Sequence, residues 1–197
     1  MTTGDVIDTL AGLAAESPVA LIRDRKPVTR EQAQASYRAL FEPVDAGDVT
    51  LAERFAMASF VAGLHGDEAA RGFYAADLLR TEPKPSLVAA LEAEIENGRT
   101  AGPYGAYPEG PLSAEDVAGP VYSVAECNRA ALGPRLSAAL THVHMLVFHP
   151  RDASPDALQV LLDAGWSNTG IVTLSQLVAF LAFQIRAAAG LRALAGA

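Results

Sequence analysis

The stretch Trp166-Ser-Asn-Thr-Gly-Ile-Val-Thr-Leu-Ser-Gln-Leu-Val-Ala-Phe-Leu-Ala-Phe-Gln-Ile-Arg-Ala-Ala-Ala-Gly-Leu-Arg-Ala-Leu194 decides the fold. Leu174, Leu177, Val178, Leu181 and Ile185 recur three or four residues apart, the spacing of one helix face. Phe180, Phe183 and Ala187 fill the neighbouring face. Ser167 or Asn168 supplies a cap and Gly196 a stop, so the spacing predicts one helix of about 40 Å. A helix apolar on nearly every side is expected to be buried on most of them. Its length also suits a membrane span, but Gln176, Gln184 and Arg186 interrupt it and no second span or basic flank accompanies it. The expectation is a core helix, with no membrane partner.

Working back along the chain, every stretch has helical character. Asp5 to Ala15 sets Val6, Leu10 and Leu13 on one side, and Pro18 opens a short turn through Val19, Leu21 and Ile22. Thr29-Arg-Glu-Gln32 and Thr50-Leu-Ala-Glu53 have the form of capping boxes. The first is expected to open a helix with Ala33, Tyr37, Leu40 and Phe41. The second opens one in which Ala56, Ser59, Ala62 and Gly63 allow a neighbouring helix to come close. Gly66 breaks that helix and Asp67 caps the next, with Ala70, Phe73, Tyr74 and Leu78 inward. Ser86 to Asn97 is an acidic amphipathic helix.

Residues 98–112, rich in Gly and Pro, read as a crossover anchored by Tyr104 and Tyr107, or else as a substrate lid. Ser113 is expected to cap a helix through Val117, Tyr122 and Val124 towards Leu132, interrupted or bent near Pro120. Arg135 to Phe148 forms another, and Ser154-Pro155 starts a short one leading into the terminal helix. No stretch alternates with period two, so the fold class is all-α. Residues 1–97 and 113–197 share a plan, which suggests two related helical repeats packed in one domain.

Composition narrows the function. The chain has 197 residues, 50% hydrophobic and 19% charged, which suggests that another subunit covers apolar surface. A net charge of -8 without a Lys/Arg cluster argues against nucleic acid. Cys127 is the only cysteine, which excludes an intrachain disulfide and a Cys-x-x-Cys pair and fits a reducing cytoplasm. The N-terminus shows no basic segment followed by an apolar run, so no signal peptide is expected.

The run Asp156-Ala-Leu-Gln-Val-Leu-Leu-Asp-Ala-Gly165-Trp, then Ile171, then Ala179-Phe180-x-x-Phe183-x-x-Arg186-x-x-x-Gly190-Leu191, resembles the C-terminal signature of the carboxymuconolactone decarboxylase and alkylhydroperoxidase D-like superfamily. Thr50 to Leu79 is similar to its core helical hairpin, and the chain looks closest to a branch of two-repeat members. The resemblance implies an all-helical fold, homo-oligomers (dimer, trimer or hexamer), no cofactor, and a peroxidase-like paralogue as companion. Active peroxidase members carry Glu-x11-Cys-x-x-Cys-x-x-x-His, in which a thiolate attacks the peroxide and a second cysteine resolves the sulfenic acid. Laid on that array, this chain has Phe55, Asp67, Ala70 and Tyr74 in the four places. Thiol peroxidase chemistry by that mechanism is absent from the hairpin.

Three functional readings follow. The first is an accessory or binding protein on the inherited scaffold, taking a small apolar ligand between helices. The second is a cofactor-free decarboxylase- or hydrolase-like enzyme using His65, Asp67 and Tyr74, since acid–base residues near this bend serve the decarboxylase branch. Against it, Asp67 has a structural use as a helix cap and His65 as a helix-end residue. The third is a peroxide reductase dependent on Cys127, set against an incidental buried thiol. Of His142, His144 and His149, helical spacing puts 142 and 149 on one face and 144 opposite, so at most two are expected to meet; packed imidazoles are preferred to a metal site. Arg186 is expected buried beside Asp163 or Glu53.

Overall fold

The computed structural model describes residues 4–196. Among them the regular structure is helical: α1 (Val6–Ala11), α2 (Pro18–Asp24), α3 (Pro27–Phe41), α4 (Leu51–Leu64), α5 (Glu68–Thr81), α6 (Pro85–Gly98), α7 (Glu126–Phe148), α8 (Pro155–Asp163) and α9 (Asn168–Ala195). Short 3-10 turns occupy Pro111–Glu115 and Pro150–Asp152, and no strand is formed beyond one isolated bridge between Gly105 and Val117. The protein is all-α.

Local chemistry sets most boundaries. Ser167 accepts from the Gly170 N–H to cap α9, and Gly196 closes it. Thr50 and Glu53 complete a reciprocal capping box on α4, while Asp67 and Ser154 cap α5 and α8. The box read at Thr29 does not form. α3 opens two residues earlier, at Pro27, because proline has no N–H to lose and its φ suits the first helical position. A second correction concerns residues 116–125, expected as helix but irregular. Gly119-Pro120 interrupts the backbone hydrogen bonds there, and the Glu94 carboxylate captures the Ala125 N–H. Within α7 the chain leaves helical geometry at Gly133 (φ 75°, ψ 162°) and resumes at Pro134, close to the expected start at Arg135.

At the centre lies α4, buried continuously from Arg54 to Leu64. It packs against α5, α6, α7 and α9. A side chain at Gly63 would come within 2.5 Å of Ile95, so the small residue is what lets α6 lie so close. The buried Arg54 guanidinium donates to the carbonyls of Leu40 (2.7 Å), Ala46 (2.6 Å) and Val49 (3.0 Å), which ties the α3–α4 loop to the core. Arg135 spans the two halves of the chain. It pairs with Glu53 at 2.6 Å, donates to the Asp48 and Gly165 carbonyls, and lies over the Trp166 ring at 4.2 Å. A single hydrophobic core draws on elements from both halves.

The terminal helix α9 is less enclosed than its composition suggests. Leu174, Leu177, Val178, Leu181 and Ile185 are buried, but Val172 and Phe183 are exposed. It is long and apolar enough to cross a membrane by length and composition, and 44% of its most apolar window is buried inside the protein. Arg186 is exposed and donates to the Ala182 carbonyl of its own helix; Glu53, one of its expected partners, is taken by Arg135.

Candidate ligand-binding cavity and the hairpin bend

The α4–α5 bend is the place where acid–base chemistry was expected. His65 ends α4, Gly66 turns the chain at φ 68°, and Asp67 starts α5. A recess of about 560 Å³ opens here, lined by His65, Asp67, Glu68, Arg186 and Arg192 among others. Both Asp67 oxygens are engaged: Oδ1 accepts the Ala70 N–H at 3.0 Å, and Oδ2 is ion-paired with Arg192 of α9. Burial holds the His65 imidazole below its ordinary pKa, the Arg186 charge lowers it further, and Asp67 opposes both.

Tyr74 does not join them. Its side chain is fully buried, its O–H donates to Gln184, and burial raises its pKa well above that of an ordinary tyrosine. The bend thus brings together two of the three residues proposed for proton transfer. Phe55 and Tyr74 belong to an aromatic cluster with Phe41 at centroid distances of 5.4 and 5.0 Å.

Cys127 lies in the first turn of α7 and is exposed, not buried as an incidental core thiol would be. Among the described residues it makes no hydrogen bond and lines neither the recess nor the cavity described next. No group of three His, Cys, Asp or Glu residues among them is placed to hold a metal ion.

The larger opening is in the second half of the chain. A cavity of about 620 Å³ lies between α7, the Ala157 and Val160 side of α8, and the irregular segment 116–122. One stripe of α7 supplies its floor, Ala138, His142 and Met145, spaced four and three residues apart, and His149 joins it just past the helix end. Segment 116–122 is fastened at both ends. Asp116 accepts the Tyr107 N–H at 2.7 Å, Val117 and Gly105 exchange backbone bonds, and the Tyr122 O–H donates to Glu94 at 2.7 Å. The crossover is likewise anchored by its tyrosines: Tyr104 packs on His149 and Tyr107 lies under Arg151.

Glu94 is a hub that sequence reasoning missed. Its fully buried carboxylate accepts from Asn128 (2.6 Å), Tyr122 (2.7 Å) and the Ala125 N–H (3.0 Å). Burial disfavours its charge, but these donors outweigh burial together and hold its pKa below the usual value. No pattern in the surrounding Glu-rich helix marks Glu94 as the buried one except its register with Leu87 and Leu91.

All three histidines of this region line the cavity, although helical spacing set His144 apart. His149, the residue after α7, leaves helical geometry (φ −129°, ψ 43°), and its ring centroid lies 6.1 Å from that of His144. His149 Nδ1 and Asp152 Oδ2 are 3.2 Å apart. Two glycines make room for that pair. A side chain at Gly119 would overlap the His149 and Tyr104 rings, and one at Gly105 would meet Asp152 Oδ1 at 2.7 Å. His144 stacks on Tyr122 at 4.5 Å, with Nε2 2.9 Å from the Gly98 carbonyl; burial lowers its pKa, and the Gly98 contact only partly offsets that.

His142 differs from both. It is 6% exposed, burial lowers its pKa, and it forms no hydrogen bond or ion pair among the described residues. The charged side chains on the cavity wall are Asp116 and Asp152; no Arg or Lys contributes. Comparison of the chain with family models, curated proteins and solved structures returns no match.

Proposed function

We propose that this protein binds a small, largely apolar molecule in the cavity bounded by α7, α8 and segment 116–122. The observation that carries the reading is the cavity itself: about 620 Å³, walled by Val117, Val121, Ala138, Met145, Ala157 and Val160, with few polar groups among them. That combination is what small-molecule sites share. The scaffold is that of an alkylhydroperoxidase D-like protein of the two-repeat branch that has lost its thiol pair, acting as a cytoplasmic homo-oligomer, alone or beside a peroxidase-like paralogue. The apolar side chains left exposed at Leu79, Val172 and Phe183 support assembly with further copies.

Uptake of an uncharged environment-sensitive dye, N-phenyl-1-naphthylamine, tests the binding function. Wild type is expected to enhance its fluorescence saturably, and Val160→Trp, which fills the mouth of the cavity, to abolish the enhancement with the helical circular dichroism unchanged. Undiminished uptake by that variant contradicts the assignment.

The reading as a cofactor-free enzyme at the bend is kept as the second, because His65 and Asp67 share a solvent-connected recess with Arg186. Lactone turnover lost in His65→Ala and retained in Val160→Trp would replace the first reading with this one.

A further inference from the structure

We infer that His142 is the polar contact of the bound molecule and that the ligand class is a neutral aryl or alicyclic compound bearing a hydroxyl group. The inference rests on the cavity reading proposed above and adds the chemistry of the ligand's head.

His142 sits mid-stripe on α7, flanked by Ala138 one turn before it and Met145 one turn after it, all three on the cavity wall. The residue is 6% exposed, yet no protein group satisfies its ring nitrogens among the described residues. The other polar groups of the wall are engaged. Thr141 donates to the Ser137 carbonyl, His144 meets the Gly98 carbonyl, and His149 Nδ1 meets Asp152; the unpartnered Nε2 of His149 is closed off from solvent and so from a ligand. His142 is absent from the buried polar atoms that lack a partner, so its ring nitrogens face the cavity space, where water or a ligand group must satisfy them.

The chemistry of that group follows from the ring and its surroundings. Burial without a neighbouring carboxylate keeps His142 neutral, so it presents one N–H donor and one nitrogen acceptor. A hydroxyl both donates and accepts, and so matches either nitrogen. A carboxylate would enter a wall whose charged members, Asp116 and Asp152, are both acidic, with no cation to receive it. An ammonium head only donates and so matches one ring nitrogen, where a hydroxyl matches either. The apolar walls require the rest of the molecule to be hydrocarbon.

Calorimetric titration with 2-naphthol and its near-isostere 2-methylnaphthalene separates the head group from the body. In His142→Leu, which keeps the bulk and removes both nitrogens, the dissociation constant of 2-naphthol is expected to rise about tenfold while that of 2-methylnaphthalene stays within about twofold. His142→Gln, which retains a donor and an acceptor, is expected to restore part of the loss. On wild type, 2-naphthol should shift the ring ¹⁵N resonances of His142 and leave those of His65 unmoved, a readout that survives even if the leucine variant fails to fold. Equal losses for both probes, no loss for either, or tighter binding of 2-naphthoate or 2-naphthylmethylammonium than of 2-naphthol would overturn the inference while leaving the cavity reading intact. Absence of binding by both probes to wild type, or binding unaffected by Val160→Trp, would overturn the cavity reading and this inference with it.

Discussion

Glu94 shows how much a single buried carboxylate holds in place. It binds three separate donors on the segment leading from Tyr122 into α7, and that segment is a wall of the cavity. Replacing it with Gln turns one acceptor oxygen into an N–H₂ that faces donors. Glu94→Gln is therefore expected to lose about 1–3 kcal/mol in urea unfolding. Its contribution also depends on pH in a definite sense. Because the folded-state pKa lies below the ordinary value of 4.5, the stabilisation is present above about pH 4.5 and is lost as pH falls through the folded-state value. Cys127 makes the opposite case. It is exposed and unpartnered, so it should react fully with a thiol reagent in the native protein, and Cys127→Ser should change stability by no more than about 0.5 kcal/mol. Equal hydroperoxide turnover, or none, by wild type and this variant removes the peroxidase reading. Of these two residues the sequence displays only one. A lone cysteine is visible at a glance, whereas the buried member of an acidic helix is distinguished only by what packs on it.

At the scale of elements, the helix stops and starts were largely legible, because caps and prolines act locally. Ser167, Thr50, Asp67 and Ser154 perform the capping their positions imply. One failure arose where a distant group intervenes, since the segment before α7 follows Glu94 rather than its own helical pattern; another arose at a helix end, where His149 leaves helical geometry beside Asp152. The close approach of α4 and α6 was legible in the small residues of α4. Gly63→Ala would drive a methyl group to 2.5 Å from Ile95, and an overpacking cost of about 1–3 kcal/mol is expected in thermal or urea melts. The buried histidines also carry a pH signature. His65, His142 and His144 all have pKa values lowered chiefly by burial. The unfolded chain therefore binds more protons as pH falls below about 6.5, so stability is full above that value and declines towards the folded-state pKa values. The urea midpoint should fall between pH 7.5 and 5.5, and fall less in His142→Leu; a midpoint independent of pH over that range would contradict the burial of these rings.

Over the whole molecule, the all-α class followed from periodicity, since a period near 3.6 repeats in every apolar stretch while period two never does. The cavity was not legible. Its walls come from α7, α8 and residues 105–106 and 116–122, which only the folded chain brings together. The bend drew attention because its polar residues adjoin in sequence, yet there Asp67 is tied to Arg192 and Tyr74 to Gln184. The central proposal is that the chain's working site is this apolar cavity and not the α4–α5 bend. A crystal structure of the protein grown with 2-naphthol tests it most directly. Density for the probe between α7, α8 and segment 116–122, its oxygen within hydrogen-bond distance of His142, is the expected result; density at the Gly66 bend with the cavity unoccupied would contradict it.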